Sequence, residues 1–288
     1  MSLAEKHYSR SDVQDEIIDF CRGRWVAAHY RGSGGDLIFR RYIHGRPLRI
    51  YTADSFFEIL KLNGYSLRSI YASANVYWRV KGIEDVYDLS NIRLCSPVWD
   101  IDGELENWRL TLRVAGEIVS FLNNWGVKES LFLKWSGNGC HVHIHEGAFS
   151  DGLLRKHHPL DLAYAIVEFV NSRLHNRLLE ILVRGRIKVE NKVDPARVFT
   201  CPLSLHRELD VVCVCFRQNE ISKFNPGWIE PTSFHHDPSW RDHVNGEADD
   251  LAVEALRAVG GYPLKRRRGR RRRTIPLDKQ IIRWLRKD

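Results

Sequence analysis

Residues 130–145 read SLFLKWSGNGCHVHIH: an apolar run, a Ser-Gly-Asn-Gly turn, then apolar residues and histidines in alternation. Period-two alternation is the mark of a strand, and glycine tolerates the backbone angles of a tight reversal. The stretch reads as a strand running into a turn and a second strand leaving it, which commits this part of the chain to a β-sheet. On the second strand Val142 and Ile144 point one way and His141 and His143 the other, the pattern of a half-buried strand.

Helix and strand signals alternate along the rest of the chain. DVQDEIIDFCRGRWVAAHY carries Val13, Ile17, Cys21 and Trp25 at four-residue spacing, which predicts a helix over about residues 12–29. GDLIFRRYI, PLRIYTA, SIYASANVYWRV and LCSPVWDID read as strands. LTLRVAGEIVSFLNNWG predicts a helix stopped by Gly126, and a second long helix is expected over about residues 160–182. VENKVD, FTCPL and DVVCVCF return to β, NPGWIEPTSFHHDPSW reads as a surface segment packed by its rings, and EADDLAVEALRAVGG as a short helix. The expected class is α/β in the broad sense (α+β), with one domain over residues 1–260, a basic linker over 261–274 and an amphipathic helix over 275–288.

At 288 residues the chain can bury a sizeable core. Its net charge of +8 favours an anionic partner, most commonly nucleic acid. The run Lys265, Arg266, Arg267, Arg268, Arg270, Arg271, Arg272 and Arg273 supplies as many positive charges as that whole excess. It reads as a nonspecific grip on nucleic-acid phosphates or as a solvated linker. The polar N-terminus is no signal peptide and no apolar stretch suits a membrane span, so a cytoplasmic protein is expected. Six cysteines without a CxxC pair point to reduced thiols in strands, with no structural zinc and no disulfide framework.

Asp100 and Asp102 in WDIDGE share one strand face, where bare carboxylates repel and a hard divalent cation, Mg²⁺ or Mn²⁺, would be held by both. Alone, the pair also fits a solvated strand end. Asp194, just before Pro195, is a candidate third ligand or an ordinary turn residue, and Lys192 two positions earlier would share its face and meet an anion. Ser136, Gly137 and Gly139 can cup a phosphate with successive amides, and His141 and His143 are placed to donate to its oxygens, with His145 outside the site. Arg197, Ser204 and His206 follow downstream. Acidic metal ligands beside donors for a triphosphate are the parts of nucleotidyl transfer.

DxD, then SGxGxHxH, then a strand Asp followed by R-x-x-x-x-P-x-S-L-H is an order that resembles the archaeo-eukaryotic primase superfamily, particularly the small, catalytic subunit of archaeal and eukaryotic DNA primase. IYASANVYW (Ile70 to Trp78) is similar to the tyrosine-rich segment that precedes the DxD there. The resemblance implies a primase catalytic core of mixed β-sheets flanked by helices. It implies catalytic metals on Asp100, Asp102 and Asp194, and nucleotide phosphates on Ser136, His141 and His206, with Arg197 as a helper. It implies single-stranded or primed DNA and an NTP or dNTP as substrates, and a primase large subunit or another replication or repair protein as partner. SGNGCH is one residue shorter than the usual turn and has Asn138 where a basic residue is common, closer to plasmid and viral primase-polymerases, and the zinc-binding insertion of primase small subunits has no counterpart. Two other readings stay open: a metal hydrolase using the HxH pair as ligands, and an inactive nucleic-acid-binding relative.

Overall fold

The computed structural model describes residues 2–32, 34–60 and 65–263. Among the described residues, ten strands form two five-stranded sheets, and a short two-stranded pairing stands apart. In the first, Val198–Thr200, Tyr65–Tyr77, Arg24–Gly32 and Leu37–Arg40 lie in that order, and Ile92–Cys95 pairs with the far end of Tyr65–Tyr77. In the second the order is Lys188–Asn191, Val98–Asp102, Cys140–Ile144, Leu131–Trp135 and Val214–Phe216. Sheets flanked by helices match the expected class, but each of these pairings is antiparallel, where the resemblance implied mixed sheets.

Helices Trp108–Asn124 and Pro159–Gly185 cover the second sheet. The first buries Leu112, Ala115, Ile118, Val119 and Leu122, an apolar stripe at helical spacing, and Gly126 turns the chain away at φ +87°. The second starts where Pro159 sits at the first turn under the side chain of His158, which accepts from Leu160 N. One apolar core runs from Ala4 to Ala255. The aromatic segment after Phe216 packs by its rings as expected, with Trp240 against Phe20 and Trp228 against Phe224. No helix among the described residues is long and apolar enough to cross a membrane.

Three expectations need correction. The first long helix ends at Phe20, and Arg24–Gly32 is a strand. Gly23, at φ +68°, breaks the helix, and Trp25, Val26 and Tyr30 are the kind of residues that pack on a pleated surface, so pairing with Tyr65–Tyr77 overrides a four-residue spacing that was coincidental past Cys21. PLRIYTA yields only the short pairing Arg46–Pro47 with Tyr42–Ile43, followed by helix Ala53–Leu60. Finally, Cys140–Ile144 is buried on both faces. It lies mid-sheet, and Phe199 of the first sheet covers its histidine face, with ring centroids 5.1 Å from His141 and 6.0 Å from His143.

Candidate active site

Pairing register places Asp100 beside His141 and His141 beside Lys134, one row across three strands. His141 Nε2 donates to Asp100 Oδ1 at 3.1 Å. From the adjoining edge, Lys192 sits one residue beyond strand Lys188–Asn191 and reaches back with Nζ 2.8 Å from Asp100 Oδ2 and 2.6 Å from Asp102 Oδ2. Burial by itself would raise the Asp100 carboxyl, but His141 and Lys192 outweigh it and hold the group well below the usual carboxylate range. Burial likewise works against the Lys192 ammonium, and its hydrogen bonds to Asp100 and Asp102 reverse the shift upward. Asp100 is thus a fixed anion clamped between two donors.

The glycine turn closes one side of this row. Gly139 packs so tightly on the Asp100 strand that a Cβ there would fall 2.5 Å from the Ile101 carbonyl oxygen. Gly137 adopts φ +120°, and a Cβ on it would stand 2.6 Å from the His206 ring. Ser136 Oγ lies 3.3 Å from His141 Nε2. Three distant stretches, WDID, SGNGCH and SLH, therefore meet at the turn. His206 Nδ1 accepts from the backbone of Leu209 at 3.0 Å, leaving Nε2 to carry the proton. Burial, with Arg207 next, lowers the His206 pKa to about 4, so the ring is neutral near pH 7.

Asp194 lies in the turn after Asn191. Its Oδ1 accepts from Ala196 N at 2.7 Å and its Oδ2 faces Arg197 Nε at 3.5 Å. With Arg197 it borders a polar pocket of about 410 Å³ that also presents Arg41, Arg207, His29 and Tyr71. Sequence reasoning missed these last four. Arg207 adjoins His206 and Tyr71 lies in the tyrosine-rich segment, so two of them were within reach, whereas His29 was hidden inside the misassigned helix.

Other candidates are drawn inside. His143 stacks on Phe132 with centroids 4.6 Å apart, its Nε2 has no partner, and burial above all holds its pKa well below the ordinary value. Ser204 is fully buried, accepting from Ile70 N at 2.7 Å and lying 3.2 Å from the Tyr8 hydroxyl. Its hydroxyl joins the strand Tyr65–Tyr77 to Tyr8 at the end of the N-terminal helix Leu3–Tyr8 rather than facing the cleft. Lys134, also missed, is fully buried, donates to the Thr200 carbonyl at 2.9 Å and lies over the Phe20 ring. A charged residue in an otherwise apolar strand, on the face of His141, was the available signal. All six cysteines are buried free thiols. The run Lys265 to Arg273 and the helix expected over 275–288 lie outside the described residues.

The donor set suits a hard divalent cation. Asp100 and Asp102 already converge on one positive charge, the Lys192 ammonium, and the Asp102 side chain is 55% exposed, open to an ion that displaces it. Among the described residues no three His, Cys, Asp or Glu side chains are grouped for a metal. Asp194, the expected third ligand, has its carboxylate engaged with Ala196 and Arg197.

No protein-family model and no curated protein matches the sequence. Solved structures do match: the polymerase domain from Mycobacterium tuberculosis Ligase D, in complex with DNA, superposes with a TM-score of 0.53 over 88% of each chain at 14% identity. The chain has the fold of that polymerase domain, in agreement with the primase-like core that the order of motifs implied.

Proposed function

We propose that the chain is a DNA-templated nucleotidyltransferase of primase or primase-polymerase type, extending a strand with NTPs or dNTPs on single-stranded or primed DNA. The observation that carries this reading is the meeting of the Asp100 strand, the Ser136–Gly139 turn and His206 at one place, on the fold of a polymerase domain. Asp100, Asp102 and Asp194 would hold Mg²⁺ or Mn²⁺, with Asp194 released from Arg197 when the ion is bound. The metal's contribution is to neutralise charge on the reacting phosphate.

In the transfer, a strand-terminal hydroxyl oxygen bonds to the α-phosphorus of the nucleotide and gives up its proton to solvent, and the bond from that phosphorus to the bridging oxygen breaks, releasing pyrophosphate. The protein's share is positioning and electrostatics. Lys192 and His141, freed from the carboxylates when the ion is bound, meet the leaving phosphates together with Arg197, while Ser136, the Gly137 turn and His206 donate to them. Lys134, His143 and Ser204 position these groups from behind. The basic run Lys265 to Arg273 adds a nonspecific hold on DNA.

The test is a template-directed assay of the purified chain with Mn²⁺ or Mg²⁺, labelled NTPs or dNTPs, and single-stranded or primed DNA, beside Asp100→Ala/Asp102→Ala. Product from unprimed template that vanishes in the variant identifies a primase, and product from primed template alone an extending polymerase. Silence of the wild type under all conditions overturns the proposal. A chain purified with stoichiometric zinc or iron on its histidines would indicate the hydrolase reading instead.

A further inference from the structure

At the end of strand Cys140–Ile144 away from the Ser136–Gly139 turn, a groove of about 870 Å³ opens that the proposed chemistry does not use. One wall is Trp78, 70% exposed, with the Arg93 guanidinium 5.0 Å from its ring centre. Arg155 and Lys156, both exposed, also line it, just after the short helix Asp151–Leu154. Among the described residues none of these three cations is ion-paired. Of the two carboxylates at the groove, Asp151 is exposed on the rim, and Glu146 in the floor is already committed to Arg24 and to Ser96.

A large exposed aromatic flanked by uncompensated cations matches a flexible polyanion that also carries flat rings, because phosphates take the charges and a base stacks on the indole. An acidic peptide would satisfy the cations and leave Trp78 without a partner. The groove is also near the candidate active site. His145, on its edge, is four residues beyond His141, roughly 13 Å at the rise of a strand.

We propose that this groove binds single-stranded DNA, Trp78 stacking on a base and Arg93, Arg155 and Lys156 holding phosphates. The choice of DNA rests on reading the chain as a template-using enzyme; the groove's chemistry does not.

Fluorescence anisotropy of the full chain with labelled oligothymidylate, across a salt series, tests it. Arg93→Gln/Arg155→Gln/Lys156→Gln should weaken binding at least tenfold and flatten the log affinity against log salt slope by about two. Trp78→Ala should weaken it about tenfold with little change in slope. Lys6→Gln/Arg184→Gln/Lys223→Gln, with Arg184 at the far end of helix Pro159–Gly185 from the groove, is the charge control, and matching thermal melts establish that all variants are folded. Equal affinities for the groove triple and the control triple overturn the proposal, as does unchanged binding by Trp78→Ala. Product formation by wild type beside Asp100→Ala/Asp102→Ala, set against DNA binding by the groove variants, separates the two readings. If wild type makes no product but the groove variants lose DNA, the catalytic reading falls and the groove stands. If product forms and the groove variants bind normally, the groove falls and catalysis stands.

Discussion

Lys192 Nζ lies 2.8 Å from Asp100 Oδ2, so the protein supplies its own cation to the carboxylates proposed to hold a metal. The ammonium and a divalent ion compete for the same oxygens. Lys192→Met removes the competitor and leaves two carboxylates facing each other, and charge-assisted hydrogen bonds of this kind contribute about 1.5–3 kcal/mol. Mn²⁺ affinity, read by electron paramagnetic resonance, should rise at least tenfold, while the KM for nucleotide rises because the phosphates lose a donor. Unchanged Mn²⁺ affinity would mean that the ion does not bind at Asp100 and Asp102.

The His206 ring lies over Gly137, whose φ of +120° an L side chain rarely adopts. Gly137→Ala should cost about 1–3 kcal/mol in stability and reduce nucleotidyl transfer more than tenfold by pushing His206 aside. Adding His206→Ala should recover part of the stability, since the clash disappears and the backbone strain remains, and should recover none of the activity. A double-mutant cycle from urea melts and steady-state rates measures both.

Arg24 and Glu146 form a buried ion pair, and burial, which would raise the Glu146 carboxyl, is outweighed by Arg24. Removing one partner strands a charge in the interior. Arg24→Met should therefore destabilise by about 3–5 kcal/mol. Arg24→Met/Glu146→Gln should lose much less, and a melt of the two variants side by side distinguishes a stranded charge from simple loss of packing.

Histidines held neutral by the fold make stability depend on pH. The unfolded chain takes up protons as pH falls through about 6.5, while folded His206 resists until about 4 and burial holds folded His143 well below its ordinary value. The unfolded state then binds more protons, so stability present at pH 7 is lost progressively as pH drops from 6.5 toward 4. The urea midpoint of the wild type should fall between pH 7 and pH 5, and His143→Leu should show a smaller fall. That variant should also be at least as stable as wild type at pH 5, because it removes a buried nitrogen that has no partner.

Much of the fold was legible because its signals are local. The strand, turn and strand of residues 130–145, the two long helices and the aromatic segment after Phe216 follow from side-chain periodicity, from glycine at a stop and from ring content. The failures came where local signals compete. Trp25 continues a helical spacing and also suits a strand, and only the partner strand Tyr65–Tyr77 settles which it joins. The alternation of HVHIH correctly put His141 and His143 on one face, but period two says nothing of what covers that face, and Phe199 comes from sequence nearly sixty residues away by the numbering.

The candidate site divides the same way. Composition and spacing alone determined that Asp100 and Asp102 share a face and that the glycine turn precedes the histidine strand, since both follow from backbone geometry over a few residues. Tertiary structure decided the rest. It set Lys192 between the carboxylates, laid His206 on Gly137, turned Asp194 toward Arg197, and drew His143 and Ser204 inside. These are through-space relations between chain segments far apart in sequence, created when the second sheet orders its strands and the first closes over it, and no short stretch of sequence encodes the distance between two others.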